Sequence, residues 1–197
     1  MKSVFGLIEY LQAKKNYLKY KLLFKESKSF IIKTGESIRG FQMISLGDNF
    51  YANKYLRIEV IGNNDKIKLI IGNNVSVGRN IHFGVNNKVI IKDGVLLGSN
   101  ILITDHNHGI YNGLNQDNPL IPPVKRKLSE NGFVIINNNV WIGDGVVILP
   151  NVEIGAGSII AANTVVTKDI PENVIAGGNP CKIIKKYNFD LFVWEKI

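Results

Sequence analysis

A chain of 197 residues with 45% hydrophobic content has the size of one domain and enough apolar side chains for a continuous core, which argues against a disordered chain. Its formal charge of +8 is carried at the ends: residues 1–33 hold eight Lys against two Glu, residues 182–197 hold four Lys against Asp190 and Glu195, and residues 34–181 balance at twelve of each sign. A neutral body argues against nucleic-acid binding and the lone Cys181 excludes an internal disulfide; with no apolar run near the ~20 residues of a membrane span and no signal-like start, a cytoplasmic protein is expected.

The first element in the chain is a helix. Val4, Leu7, Ile8, Leu11, Leu18 and Leu22 fall near one face at the helical period, and Lys14, Lys15, Lys19, Lys21 and Lys25 populate the rest. Two roles fit a basic amphipathic helix at this place. One is peripheral association with an anionic membrane at its inner face; the other is a cap over the open end of a repeat domain.

Further along, the period changes to six. Ile71, Val77 and Phe83 share one register, which returns at Leu97 and Ile103 and again at Ile142, Ile148, Ile154, Ile160 and Val166. Four places after each of the last five stands Val146, Val152, Ser158, Thr164 or Ile170. A helix repeats every 3.6 residues and a plain strand every 2, so a strict period of six requires a chain that turns a corner after each short strand. Three such sides close a triangular rung of about 18 residues, the hexapeptide β-helix. Gly or Ala follows the apolar residue at 72, 78, 84, 98, 143, 155 and 161, where a bulky Cβ would crowd the corner. Asn73, Asn74, Asn80, Asn100, Asn151 and Asn163 occupy the same turns, because the short amide tolerates left-handed backbone.

The repeat breaks between Ile103 and Val134. The break opens on Thr104-Asp105-His106-Asn107-His108-Gly109 and continues through Pro119, Pro122, Pro123 and Lys125-Arg126-Lys127. Insertions in solenoids form loops, and loops carry sites; two of the chain's three histidines stand at the root of this one. The expected organisation is an N-terminal extension over 1–35, a β-helix over 36–176 with a loop insertion at 104–133, and a C-terminal extension over 177–197, both extensions being short and helical. The fold class is all-β.

Four segments in this order carry a family resemblance: Asp105 to His108, Asn-Val-Trp-Ile-Gly at 139–143, Thr-Lys-Asp-Ile-Pro at 167–171 and Gly-Asn-Pro-Cys-Lys at 178–182. They resemble the galactoside and maltose O-acetyltransferase group of the hexapeptide-repeat acyltransferases, from about Ile44 to Lys186. The resemblance implies a left-handed parallel β-helix, acetyl-CoA as donor, a saccharide acceptor, and a homotrimer with active sites between neighbouring subunits. The left-handed sense comes from the family alone, since parallel crossovers are ordinarily right-handed.

The resemblance also distributes roles. A sugar hydroxyl needs a base as it attacks and the thioester oxygen needs donors, and His106 aligns with the family's catalytic histidine. His108 is read as a structural or substrate contact and Glu59 as a candidate to orient the imidazole. Phe50-Tyr51-Ala52-Asn53 resembles the segment whose asparagine binds the acceptor, so that role is carried to Asn53. Trp141 is expected at an inward or corner position against the reacting groups, with an amide near Asp144 as oxyanion donor. Ala162, Thr167 and Lys168 are implied to contact the cofactor, with Lys182 and Lys185 near its nucleotide end. No metal is expected, and Cys181, with no activating neighbour in sequence, is read as a small apolar residue rather than an acyl carrier. The expected product is an acetylated precursor of a surface polysaccharide, with a free sugar as the other acceptor. Two rival readings remain at this stage: a zinc hydratase using His82, His106 and His108, and a scaffold solenoid without catalysis.

Overall fold

The computed structural model describes residues 4–24, 26–62 and 66–197, without the side chains of residues 4–7 and 9. Among the described residues the strands are two to seven residues long and form three sheets of nine, six and five strands. From Phe30 to Val166 the chain visits the sheets in strict rotation, so each sheet is one face of a triangular prism. This is a left-handed parallel β-helix: the sixfold register predicts the triangular coil, and the family resemblance implies its left-handed sense.

Face 1 stacks Phe30–Ile32, Phe50–Ala52, Ser76–Val77, Leu96–Leu97, Trp141–Ile142, Ile159–Ile160 and Val174–Gly177 in parallel. Face 2 stacks Ser37–Arg39, Arg57–Val60, His82–Val85, Leu102–Thr104, Val147–Ile148 and Val165–Val166. Face 3 stacks Ile44–Leu46, Leu69–Ile71, Lys88–Ile91, Phe133–Ile136 and Val152–Ile154. Every residue of the register from Ile142 to Val166 is fully buried, as are Ser158 and Thr164. Those two hydroxyls keep their place in an apolar core because both are paired: Ser158 Oγ donates to Pro171 O and Thr164 Oγ1 to Ala161 O.

The corners follow from residue type. Asn74, Asn80, Asn100, Asn151 and Asn163 all have φ between 55° and 63°, the left-handed region in which asparagine is the least strained residue after glycine. Asn73 differs: its side-chain carbonyl accepts from the Asp48 amide of the preceding coil at 2.8 Å. Glycine is required where coils approach most closely. A Cβ on Gly98 would stand 2.1 Å from Asp144 Oδ1.

Helix α1, Val4–Lys21, lies over the first coil. The face it buries carries aromatic residues rather than the leucines of the amphipathic pattern. Tyr20, Phe24 and Asn16 are buried, with Tyr17 and Phe24 against Phe30, Tyr20 and Phe24 against Phe41, and Asn16 Nδ2 donating to Ile32 O. Ile8, Leu11, Leu18 and Leu22 point to solvent. The aromatic positions win because a wide triangular end is filled better by large rings that also keep a polar handle, as Tyr20 does through its hydroxyl on Glu36. Lys25 and the side chains of Val4 and Leu7 lie outside the described residues.

The C-terminal extension is a second correction, since it forms no helix. Gly178 (φ 101°) and the cis peptide Asn179–Pro180 turn the chain back, and Lys182–Asn188 pairs antiparallel with Val174–Gly177, followed by Val193–Lys196. The open edge of face 1 offers unpaired backbone donors and acceptors, and Ile183, Ile184 and Tyr187 suit a strand.

Candidate active site

The break in the repeat sits where face 2 turns into face 3. The strand Leu102–Thr104 ends, residues 105–132 leave the coil, and Phe133 resumes the ladder on face 3. Asp105 is wholly buried at this exit. One of its carboxylate oxygens accepts the Asn86 amide at 2.8 Å, and the other accepts those of Asn87 and Lys88 at 2.8 and 2.6 Å. The same group meets His106 Nδ1 at 2.9 Å.

This arrangement fixes the imidazole. A carboxylate offers no proton, so Nδ1 carries the hydrogen and Nε2 is left with its lone pair, the form a general base requires. The ring folds back over face 2 beside Gly84, where a Cβ would meet His106 Cε1 at 3.5 Å, an ordinary van der Waals contact. In the ladder Gly84 stands between Glu59 and Thr104, so the imidazole fills the gap between their side chains.

His106, His108, Asn107, Thr104, Gly84, His82 and Glu59 line one cleft of about 460 Å³. Glu59 does not orient His106, contrary to the sequence reading. It accepts from Arg57 at 2.7 Å and meets His82 Nε2 at 3.1 Å, because strand alternation points Arg57, Glu59 and His82 outward together. The Arg57 guanidinium holds the Glu59 carboxyl below the usual carboxylate range. Burial, with Arg57 adding to it, pushes His82 below the ordinary histidine value and keeps it neutral at pH 7. His108 lies on the loop, its ring centroid 6.5 Å from that of His106, and bridges to Leu128. Among the described residues no three of His, Cys, Asp or Glu are grouped as a metal centre.

The remaining residues fall elsewhere on the prism. Thr167 and Lys168 are exposed on the same corner as His106, two coils further on. Between them, a cavity of about 510 Å³ runs from Asn107 and the loop to Pro150 and Asn151. Asn53, Asp144 and Ala162 lie on the corner between faces 1 and 2, and Asn53 Oδ1 accepts the Lys54 amide at 2.9 Å. The amides flanking Asp144 are engaged in the ladder, Gly143 with Ile160 O and Gly145 with Ser99 O, so neither serves as an oxyanion donor. Trp141 is neither inward nor at a corner. It is 50% exposed on the outer side of face 1, because the alternation that buries Ile142 turns its neighbour outward. It forms a row with Leu96, Ile159 and Ile175 that ends on Lys185, and Lys182 lies three residues earlier on the same strand. No face-1 residue lines the His106 cleft.

Sequence reasoning passed over Asp105 and Gly84. One stands inside a motif and the other at a corner, and only their burial and contacts reveal what they do.

Residues 133–168 match the family model described as bacterial transferase hexapeptide (six repeats). The putative lipopolysaccharide biosynthesis O-acetyl transferase WbbJ of Escherichia coli K12 is 35% identical over 193 residues, covering 98% of this chain and 95% of that protein. The chain belongs to the hexapeptide-repeat acyltransferases. The galactoside O-acetyltransferase of the same organism is 39% identical over 122 residues, and the chain spans 56% of its length. Among solved structures, the N-acyltransferase AntD of Bacillus cereus, in complex with dTDP and 3-hydroxybutyryl-CoA, superposes with a TM-score of 0.70 over 90% of each chain at 23% identity. That likeness concerns the fold. The WbbJ match takes in the sequence of α1, which the motif resemblance does not reach.

Proposed function

We propose that this acyltransferase moves the acetyl group of acetyl-CoA to a hydroxyl of a saccharide, a precursor of a surface polysaccharide, with His106 as general base. The observation that carries the reading is the buried Asp105 carboxylate on His106 Nδ1, in a cleft open to solvent. The acceptor hydroxyl gives its proton to His106 Nε2 as its oxygen attacks the thioester carbon. The tetrahedral intermediate then collapses, the carbon–sulfur bond breaks, and the sulfur of CoA leaves with the proton returned by His106. Burial pushes the Cys181 thiol up, away from the thiolate a covalent carrier needs, which favours direct transfer.

The donor's long arm fits two features, the apolar row that ends on Lys185 and the corner that bears Thr167 and Lys168, with lysines placed for its phosphates. The corner lies on the His106 side, whereas the apolar row of face 1 and His106 lie on different sides of one prism. A homotrimer in which the loop-bearing corner of one copy meets face 1 of the next unites them, bringing Trp141, Asn53 and Ala162 beside the His106 cleft. The names of WbbJ and the galactoside enzyme point to a saccharide acceptor, and WbbJ, matched along 95% of its length, points to a cell-surface glycan.

The test is acetyl-CoA consumption against free, polymeric and lipid-linked saccharides, with His106→Ala alongside. The variant should lose about 10²–10⁴-fold in kcat. Full activity in it would remove His106 from the mechanism.

A further inference from the structure

The inward side of α1 is accounted for by the cap, and its outward side is not. Ile8, Leu11, Leu18 and Leu22 are 48%, 55%, 64% and 75% exposed. With exposed Lys15 between Leu11 and Leu18, their spacing is three, four, three, four, which places all five along one straight seam opposite Asn16, Tyr20 and Phe24. Lys14 lies to one side of the seam and Lys19 to the other, at about 100° of rotation per residue.

The seam's chemistry selects what covers it. A second helix packed here would bury Lys15 at the middle of an apolar stripe, where an ammonium is costly. A lipid surface imposes no such cost: the lysine stem lies along the apolar stripe while its head reaches the headgroup phosphates. Lys14 flanks the stripe at the level where an anionic headgroup layer would meet it, whereas the Lys19 ammonium is held by the Tyr20 hydroxyl and Glu36; the first 33 residues carry +6 of the chain's +8. No helix of the described residues is long and apolar enough to cross a bilayer.

We propose that α1 lies flat on an anionic membrane through the Ile8–Leu11–Lys15–Leu18–Leu22 seam while its other side closes the β-helix. His106 rests on Gly84, two coils above the first face-2 strand, or about 10 Å at the spacing of adjacent strands. Adding the roughly 10 Å thickness of α1 between coil and lipid, the cleft opens about 20 Å above the membrane plane, at the height of a saccharide extended from a lipid. This last point rests on the acetyl transfer proposed above; the membrane contact itself does not.

Flotation of the full chain with vesicles tests the contact without any assay of activity. The protein should float with phosphatidylcholine vesicles containing about 30 mol% phosphatidylglycerol, remain behind with pure phosphatidylcholine, and release in about 0.5 M NaCl. The double variants Leu18→Glu/Leu22→Glu and Lys14→Glu/Lys15→Glu should each lower partitioning by about tenfold or more, with far-UV circular dichroism and transfer to a soluble acceptor unchanged. Absence of flotation with the anionic vesicles, or flotation indifferent to both double variants, overturns the proposal. A smaller assembly for Leu18→Glu/Leu22→Glu in sedimentation velocity also overturns it, by assigning the seam to a second copy.

Discussion

Asp105 and His106 are neighbours in the chain, and in a regular strand neighbours point to opposite sides. Here the strand has ended at Thr104, and the turn out of the coil carries Asp105 inward onto three amides while His106 swings back over Gly84. Asp105 is a positioning residue, acting through His106. In Asp105→Asn one side-chain oxygen is exchanged for a donor that faces backbone N–H groups, so the variant should lose about 1–3 kcal/mol of stability. Its kcat should fall about 10²–10⁴-fold with a displaced pH profile, since Nδ1 is no longer held as the donor. An unchanged pH profile with reduced stability alone would leave Asp105 a purely structural role. The motif was legible in the sequence; the division of labour within it was not, because burial and hydrogen bonding are properties of the folded corner.

At the scale of the element, six-residue periodicity says which residues face in, and the alternation of two-residue strands decides the rest. Trp141 and Ile142 show the contrast: adjacent on one strand, one is half-exposed and the other fully buried. Ile142→Ala should cost about 2–5 kcal/mol, read as a shift in the urea midpoint, whereas Trp141→Ala should stay within about 0.5 kcal/mol and act on catalysis instead. Equal destabilisation by both would place Trp141 in the core. The ends of the solenoid are less legible in the sequence. Helix α1 presents apolar residues on two sides, and periodicity cannot tell which of them meets the protein. The C-terminal segment becomes a hairpin because face 1 ends on an open edge, a feature created by the preceding coil rather than by residues 182–197 themselves.

At the scale of the whole molecule, the prism separates groups that one reaction would use together. His106 stands at the corner of faces 2 and 3, and Trp141 lies on face 1. A shared site makes a definite prediction for mixed assemblies. When chains bearing His106→Ala and chains bearing Trp141→Ala are unfolded, mixed in equal amounts and refolded together, about a quarter of the sites receive both native residues and activity should return to that level. If the mixture is no more active than its components, each copy holds its own complete site.

The sequence alone determined the coil, its inward residues, the place where the coil breaks and the histidine beside that break, because a repeat writes its geometry into its spacing. The tertiary structure decided that Asp105 rather than Glu59 holds the imidazole, that the ring lies back over Gly84, that Trp141 faces outward, and that α1 turns its aromatic side to the core and its leucines to solvent. These depend on which atoms meet across coils some 20 residues apart in the chain, and no local pattern records that meeting.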